Sequence, residues 1–346
     1  MFTQDLIWGV LVCLPTKSLM RFKCVSKLWY SIIRNPKFAK AQAIKGAGFR
    51  GLLITNVFYN PNTFRETPGQ PHIFFHVKLN DCGRRLIYRH LTIQEPKHTR
   101  FTPFVKGLIG LYNHVMNNFT LCNIATREFL DLPPSPSPPP SADLGTHYVY
   151  NYFLGFDPVE EVYKVLNICL RYDEENNFVG TNGTHVFTLG VNMNWRNIAS
   201  PPLHSEFNEI PEHIKDGADL VEICESLAIN YGSYGKCDVW TMNKHCGGGE
   251  LEVWTRKRKS LGRGGLTRLN YAGTLPTGEM MVAEQDLLNF PFPIHIYDHL
   301  KNKSKLIEIK GFGSRSMEMD PQKIKICYFE ENVISLDCLM RNQQQY

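Results

Sequence analysis

The sequence predicts an α+β multidomain protein: a small N-terminal module of three short helices, then a mostly antiparallel, all-β, propeller-like domain. Three observations predict it. Apolar residues recur at helical spacing through the first forty positions. Past Gly46 the pattern changes to short apolar runs broken by Gly, Asn, Asp and Pro. Strand–turn–strand units then recur, imperfectly, along the rest of the chain.

The helices come first. Leu6, Ile7, Val10, Leu11 and Leu14 fall on one helical face, and Pro15 ends that helix by forcing its predecessor out of helical geometry. Thr16 is placed to cap a second helix, in which Leu19, Phe22 and Val25 follow at three-residue spacing. Ser26 caps a third, carrying Trp29, Ile32 and Ile33, which Asn35-Pro36 stops; Phe38 packs back. Between Leu6 and Ile33, 18 of 28 residues are apolar. So short a segment cannot bury that surface alone, so part of it should meet another protein. Pro15 sets two helices at a fixed angle and presents Leu6, Leu11, Leu14 and Leu19 as a ridge of interface anchors, rimmed by lysine and arginine. Trp8 and Val12 add apolar area to a face expected to be polar.

The β units follow in order. Phe119–Cys122 turns at Asn123–Thr126 into Phe129–Leu132, and Tyr152–Phe156 turns at Asp157-Pro158 into Tyr163–Leu166. Val186–Leu189 turns at Gly190–Asn194 into Trp195–Ile198, and Ile294–Tyr297 turns near Asp298–Lys303 into Leu306–Ile309. Repeated hairpins over this length favour a propeller, which manages strand edges by radial repetition; a large β-sandwich is the competitor.

Composition restricts the function classes. Apolar residues make up 43% and charged residues 21%, the balance of an ordinary globular protein. The net charge of +5 is uneven: residues 1–50 carry nine Lys or Arg against Asp5, which suits an acidic partner surface. Ten cysteines lie scattered without CxxC or zinc-ligand spacing, which fits a reducing compartment, cytoplasm or nucleus. Leu6–Leu14 lacks the flanks of a signal peptide and is too short to cross a bilayer. No nucleophile elbow, HExxH or calcium loop is present, so no catalytic chemistry, metal or cofactor is expected.

Asp5-Leu6-Ile7, Leu14-Pro15-Thr16-Lys17-Ser18-Leu19, Arg21-Phe22-Lys23-Cys24-Val25-Ser26-Lys27, Trp29 and Asn35-Pro36-Lys37-Phe38 resemble the F-box of plant F-box proteins. Leu121-Cys122-Asn123 with Thr126-Arg127-Glu128-Phe129 and Leu132-Pro133-Pro134 is similar to the CNP-x-TRE-x-x-x-LPP signature of the plant F-box-associated domain. Gly155-Phe156-Asp157-Pro158-Val159, Tyr163-Lys164-Val165-Leu166, Thr188-Leu189-Gly190 with Trp195-Arg196, Leu227-Ala228-Ile229, Val239-Trp240-Thr241-Met242 and Thr277-Gly278-Glu279 resemble its further segments. The resemblance implies an F-box over residues 1–45, which docks on a Skp-type adaptor and through it a cullin. It implies a kelch-like, substrate-recruiting propeller over 46–345, in a non-enzymatic subunit of an SCF ubiquitin ligase. The adaptor contacts it assigns are Leu6, Ile7, Leu11, Leu14, Pro15, Leu19, Phe22, Val25 and Trp29. Phe2-Thr3, Gly9 and Cys13 depart from the family pattern, and Gly9 costs the first helix about 1 kcal/mol relative to alanine. The family also places another hairpin unit where Ile198–Leu220 is short, polar and rich in proline, so a gap or irregular closure is expected near 199–220.

Two alternatives accompany this reading. One is a relative that no longer serves a ligase, or binds proteins outside ubiquitination. The other is a nucleic-acid-binding protein using the basic head and the Arg256-Lys257-Arg258-Lys259, Arg263, Arg268 cluster, which is expected instead to be a solvated loop. Pro133–Pro140 is read as a stiff exposed loop rather than a polyproline ligand.

Overall fold

The computed structural model describes residues 4–45, 50–56, 59–60, 65–66, 72–77, 90–93, 100–136, 145–175, 177–191, 194–198, 218–223, 226–233, 236–243, 253–261, 269–275, 277–284, 292–309 and 324–341. Its N-terminal part has four helices among the described residues, one more than the sequence suggests: α1 (Gln4–Leu11), α2 (Thr16–Phe22), α3 (Lys27–Arg34) and α4 (Pro36–Lys45). Asn35-Pro36 does stop α3, but the same pair starts α4. Proline is favourable at a first helical position, and the Asn35 side-chain oxygen accepts the Lys37 N–H at 2.9 Å. Ser26 caps α3 as expected, accepting from the Trp29 N–H at 3.2 Å. Thr16 does not cap α2; extended Pro15 holds that position, and Thr16 is the buried first residue of the helix.

The head core consists of Leu11, Val12, Leu19, Ile32, Ile33, Phe38 and Ala39. Trp8 meets Phe38 edge-on at 5.1 Å and Phe22 meets Trp29 at 5.2 Å. Trp8 and Val12 therefore face protein rather than solvent. What covers that side is α4 together with Val333, which arrives from the far end of the chain and is completely buried in the same cluster.

Among the described residues, the β part forms five four-stranded antiparallel sheets. The second holds β6 (Arg100–Phe101), β7 (Leu108–Asn113), β8 (Asn118–Asn123) and β9 (Glu128–Asp131) in chain order. The third holds β10 (His147–Asp157), β11 (Val162–Tyr172), β12 (Phe178–Thr188) and β13 (Arg196–Ile198). The fourth holds β14 (Ala218–Ile223), β15 (Ser226–Ser233), β16 (Lys236–Asn243) and β17 (Val253–Ser260). The fifth holds β18 (Leu269–Thr274), β19 (Met280–Glu284), β20 (Phe292–Asp298) and β21 (Lys303–Ile309). A small hairpin pairs β2 (Tyr59–Asn60) with β3 (Arg65–Glu66).

The first sheet joins the two ends of the domain. Its order is β22 (Ile324–Glu330), β1 (Arg50–Asn56), β4 (His72–Val77), β5 (His90–Ile93), with Arg50 opposite Glu330 and Asn56 opposite Ile324. Buried clusters pack the first sheet on the second, the second on the third and the fourth on the fifth. This is a propeller-like domain rather than a sandwich. The third and fourth sheets have four strands each; the connection between them, on which the expected gap falls, spans 199–217 and lies outside the described residues.

One turn design recurs in the hairpins. Asn113, Asn123, Asp157 and Asp298 each accept the N–H groups of the residues two and three places on, at 2.9 to 3.3 Å. The residue four places on is left-handed in every case: Asn117 (φ 51), Arg127 (φ 60), Glu161 (φ 55) and Asn302 (φ 51). Lys164, at 2.7 Å from Asp157, and the backbone donors hold that carboxyl down at about 2.

The basic run Arg256–Lys259 is not a loop. It lies in β17, an outermost strand of its sheet among the described residues. Arg263, Arg268, His245, Cys246, the glycines at 247–249 and at 262, 264 and 265, and residues 137–140 of the proline-rich stretch lie outside the described residues.

Burial, and then the charge of Arg100, lower the pKa of His114 to about 4. The unfolded chain takes up this proton near the ordinary histidine value, and the folded chain does not until about 4. The resulting stability is therefore complete above about pH 6.5 and is lost as pH falls towards 4. Urea unfolding at about pH 7 and about pH 5 should show a smaller acid loss for His114→Gln than for the parent chain.

Candidate adaptor-docking site

The sequence-assigned contact residues divide by depth. Leu6 and Val25 are 52% and 59% exposed, and Pro15 is exposed between them in sequence. Ile7, Leu14, Phe22 and Trp29 are half-buried, while Leu11 and Leu19 are completely buried in the head core. The ridge expected from Leu6, Leu11, Leu14 and Leu19 is therefore not a single surface: Leu6 is exposed, Leu14 packs on the head core, and Leu11 and Leu19 lie within it. The exposed apolar set also includes Val10, Leu28 and Tyr30, which the family pattern does not assign as contacts. Their signal is present in the sequence, since Leu6 and Val10 lie one turn apart on α1.

The positive charge of the head is partly used within the molecule. Lys23 pairs with Glu128 at 3.4 Å, Arg34 with Asp337 at 3.0 Å, and Lys40 pairs with Glu161; just beyond the head, Arg50 of β1 pairs with Glu330 at 3.4 Å. Each acid belongs to the β domain or to the C-terminal segment. Lys17, Arg21, Lys27 and Lys37 are exposed.

A joint fixes the head to the second sheet. After β22 the chain runs from Glu331 to Ser335 and enters a short helix, α5 (Leu336–Arg341). The Asn123 side-chain amide donates to the carbonyls of Asn332 and Ile334, both at 2.9 Å. Asn332 donates to the Lys106 carbonyl at 2.9 Å, and Glu128 accepts the Leu336 N–H at 2.7 Å. A Cβ on Gly107 would lie 2.5 Å from that of Asn332, and its φ of +84° suits glycine. Val333 enters the head core while Leu336 enters the core between the second and third sheets. The sequence singles out Asn123 and Glu128 as a signature without showing what they hold; their partners lie some two hundred positions away.

The joint determines which face is free. Lys106, Glu128, Glu161 and Glu330 sit at the ends of strands that point towards the head. In an up-and-down sheet the intervening turns, at 114–117 and after Tyr172, lie at the opposite ends of the strands. No group of three or more His, Cys, Asp or Glu residues is placed to hold a metal among the described residues.

The fold is thus a helical head with exposed apolar side chains, fastened to one face of a propeller-like domain. Residues 3–40 match the F-box domain and residues 63–218 match the F-box associated beta propeller domain. The chain belongs to the plant F-box proteins of that build. It is 32% identical over 235 residues to the Arabidopsis thaliana F-box protein At4g21240, covering 66% of this chain and 48% of that one. It is 29% identical to At1g32420 of the same plant, covering 58% and 60%, and 31% identical to At1g47790, covering 60% and 49%. The chain thus spans about half the length of the relatives it matches.

Asn123→Ala leaves two carbonyls of the joint without their donor and should cost about 2 kcal/mol in urea unfolding. Leu11→Ala should cost about 2–5 kcal/mol through the cavity it opens. Leu6→Ala, at an exposed site, should stay within about 0.5 kcal/mol of the parent.

Proposed function

We propose that the protein is the substrate-recognition subunit of an SCF-type ubiquitin ligase. Its head docks on a Skp-type adaptor, and through it a cullin, while the propeller-like domain holds a target protein. The protein catalyses nothing. It raises the effective concentration of the target beside subunits that transfer ubiquitin. Its place of action is the cytoplasm or the nucleus.

The observation that carries the reading is the exposed set Leu6, Val10, Val25 and Leu28 on an F-box head whose own core is complete. A core already closed by Val333 does not need those side chains inside, so they are available as anchors for a second protein. Gly9 also supports the reading: it is exposed with open space around its Cα, so its effect is confined to helix propensity. A nucleic-acid role is less well supported, because three of the head's cations are engaged with Glu128, Asp337 and Glu161.

The test is co-purification of the full chain with a Skp-type adaptor and a cullin. Leu6→Glu combined with Val25→Glu should reduce adaptor capture at least about tenfold, because each buries a charge in the contact. Thermal unfolding should be unchanged, since both side chains are exposed. Undiminished capture by the double variant would remove this patch as the docking surface.

A further inference from the structure

The third sheet differs from its neighbours in a way that docking does not use. β10, β11 and β12 have eleven residues each, against six in β7 and β8. The Tyr150 N–H donates to the His114 carbonyl at 2.8 Å, which aligns Tyr150 with the far-side turn of the second sheet. His147–Val149 and the residues they pair with therefore project about 10 Å beyond that turn, away from the head.

The projecting end has three features that suit one kind of ligand. The first is a row of rings across the strands: His147 stacks on Tyr172 at 5.6 Å, and Tyr172 meets Phe178 at 5.9 Å. Phe178 and Val179 are 45% and 46% exposed at the end of that row. The second is charge. Glu174 and Glu175 are exposed at the tip, on a turn that Asp173 holds by accepting the Glu175 and Asn177 N–H groups at 3.0 and 2.7 Å. The third is an edge. β13 is three residues long and pairs with β12 from Thr184 to Val186. Among the described residues no strand lies beside the outer edge of Val179–Gly183.

We propose that this end of the third sheet is the target-contact surface. It takes an extended segment of the target that alternates basic and apolar residues and lies along the outer edge of β12. The inference rests on the proposed role of the propeller-like domain in holding a target. Main-chain pairing along Val179–Gly183 supplies affinity without regard to sequence, as in other strand-addition complexes. Specificity comes from the side chains. An apolar residue of the segment packs on Phe178 and Val179, and its arginine or lysine meets Glu174 and Glu175 beside the ring row. An acidic segment would face like charge at the same place.

Fluorescence anisotropy with the full chain tests this. The probes are labelled peptides alternating arginine with valine, glutamate with valine, and serine with valine, and an arginine–valine peptide with prolines in place of the valines. The arginine–valine peptide should bind at least about tenfold more tightly than the glutamate peptide, and the proline form should not bind, having lost its ladder donors. Glu174→Gln with Glu175→Gln, and separately Phe178→Ser, should each weaken binding roughly tenfold. Equal affinity for the two charged peptides, no binding of the arginine–valine peptide, or binding unmoved by these exposed-site variants would overturn the assignment. Adaptor capture is measured on the same preparations. If capture persists while peptide binding fails, the target surface is wrong and the ligase reading stands; if the parent chain does not capture the adaptor, the ligase reading itself fails.

Discussion

The architecture depends on the few residues between Glu330 and Leu336. They leave the first sheet, pass over the second and contribute Val333 to the head, so one short segment belongs to three packing units. Its backbone is held by side chains from elsewhere: Asn123 on two carbonyls, Glu128 on one N–H, and Asn332 reaching Lys106 in return. Polar groups buried in such a segment are costly unless each finds a partner, and the signature turn of the second sheet supplies these partners. The orientation of the head on the propeller thus comes from hydrogen-bond geometry as well as from apolar packing.

The same economy appears in the turns. Asn113, Asn123, Asp157 and Asp298 begin turns of one design, each ending in a left-handed non-glycine residue. An Asx side chain that satisfies two N–H groups offsets the cost of a left-handed residue at the end of the same turn. At Asn123 the design serves twice, because the side-chain oxygen makes the turn while its nitrogen holds the C-terminal segment.

Much of this is legible in the sequence, for identifiable reasons. Helical spacing in residues 6–33 and hairpin chemistry at Asn123, Asp157 and Asp298 are local, and local signals survive reading along the chain. The fourth helix escapes that reading because proline reads as a stop, although it equally suits a first turn. The basic run at 256–259 reads as a loop because a run of cations has no apolar alternation to mark it as a strand. Within the candidate docking site, periodicity places Leu11 and Leu19 on helices that the structure also has. It does not assign their depth, because the elements that bury them, α4 and Val333, have no mark in the spacing of α1 and α2. The β1–β22 pairing and the joint have no local signature, since their partners are separated by most of the chain.

The placement of Val333 also has a consequence for biosynthesis. The head helices are synthesised before the propeller-like domain, yet their core includes Val333, which follows β22, the strand paired with β1. The helices can form early, but their full packing waits until Val333 has been made. A chain interrupted before Ile324 lacks both the closing strand and the plug of the head. Completion of the propeller-like half and full packing of the helical half thus await the same stretch of chain, and a product that stops short of it lacks a fully packed head.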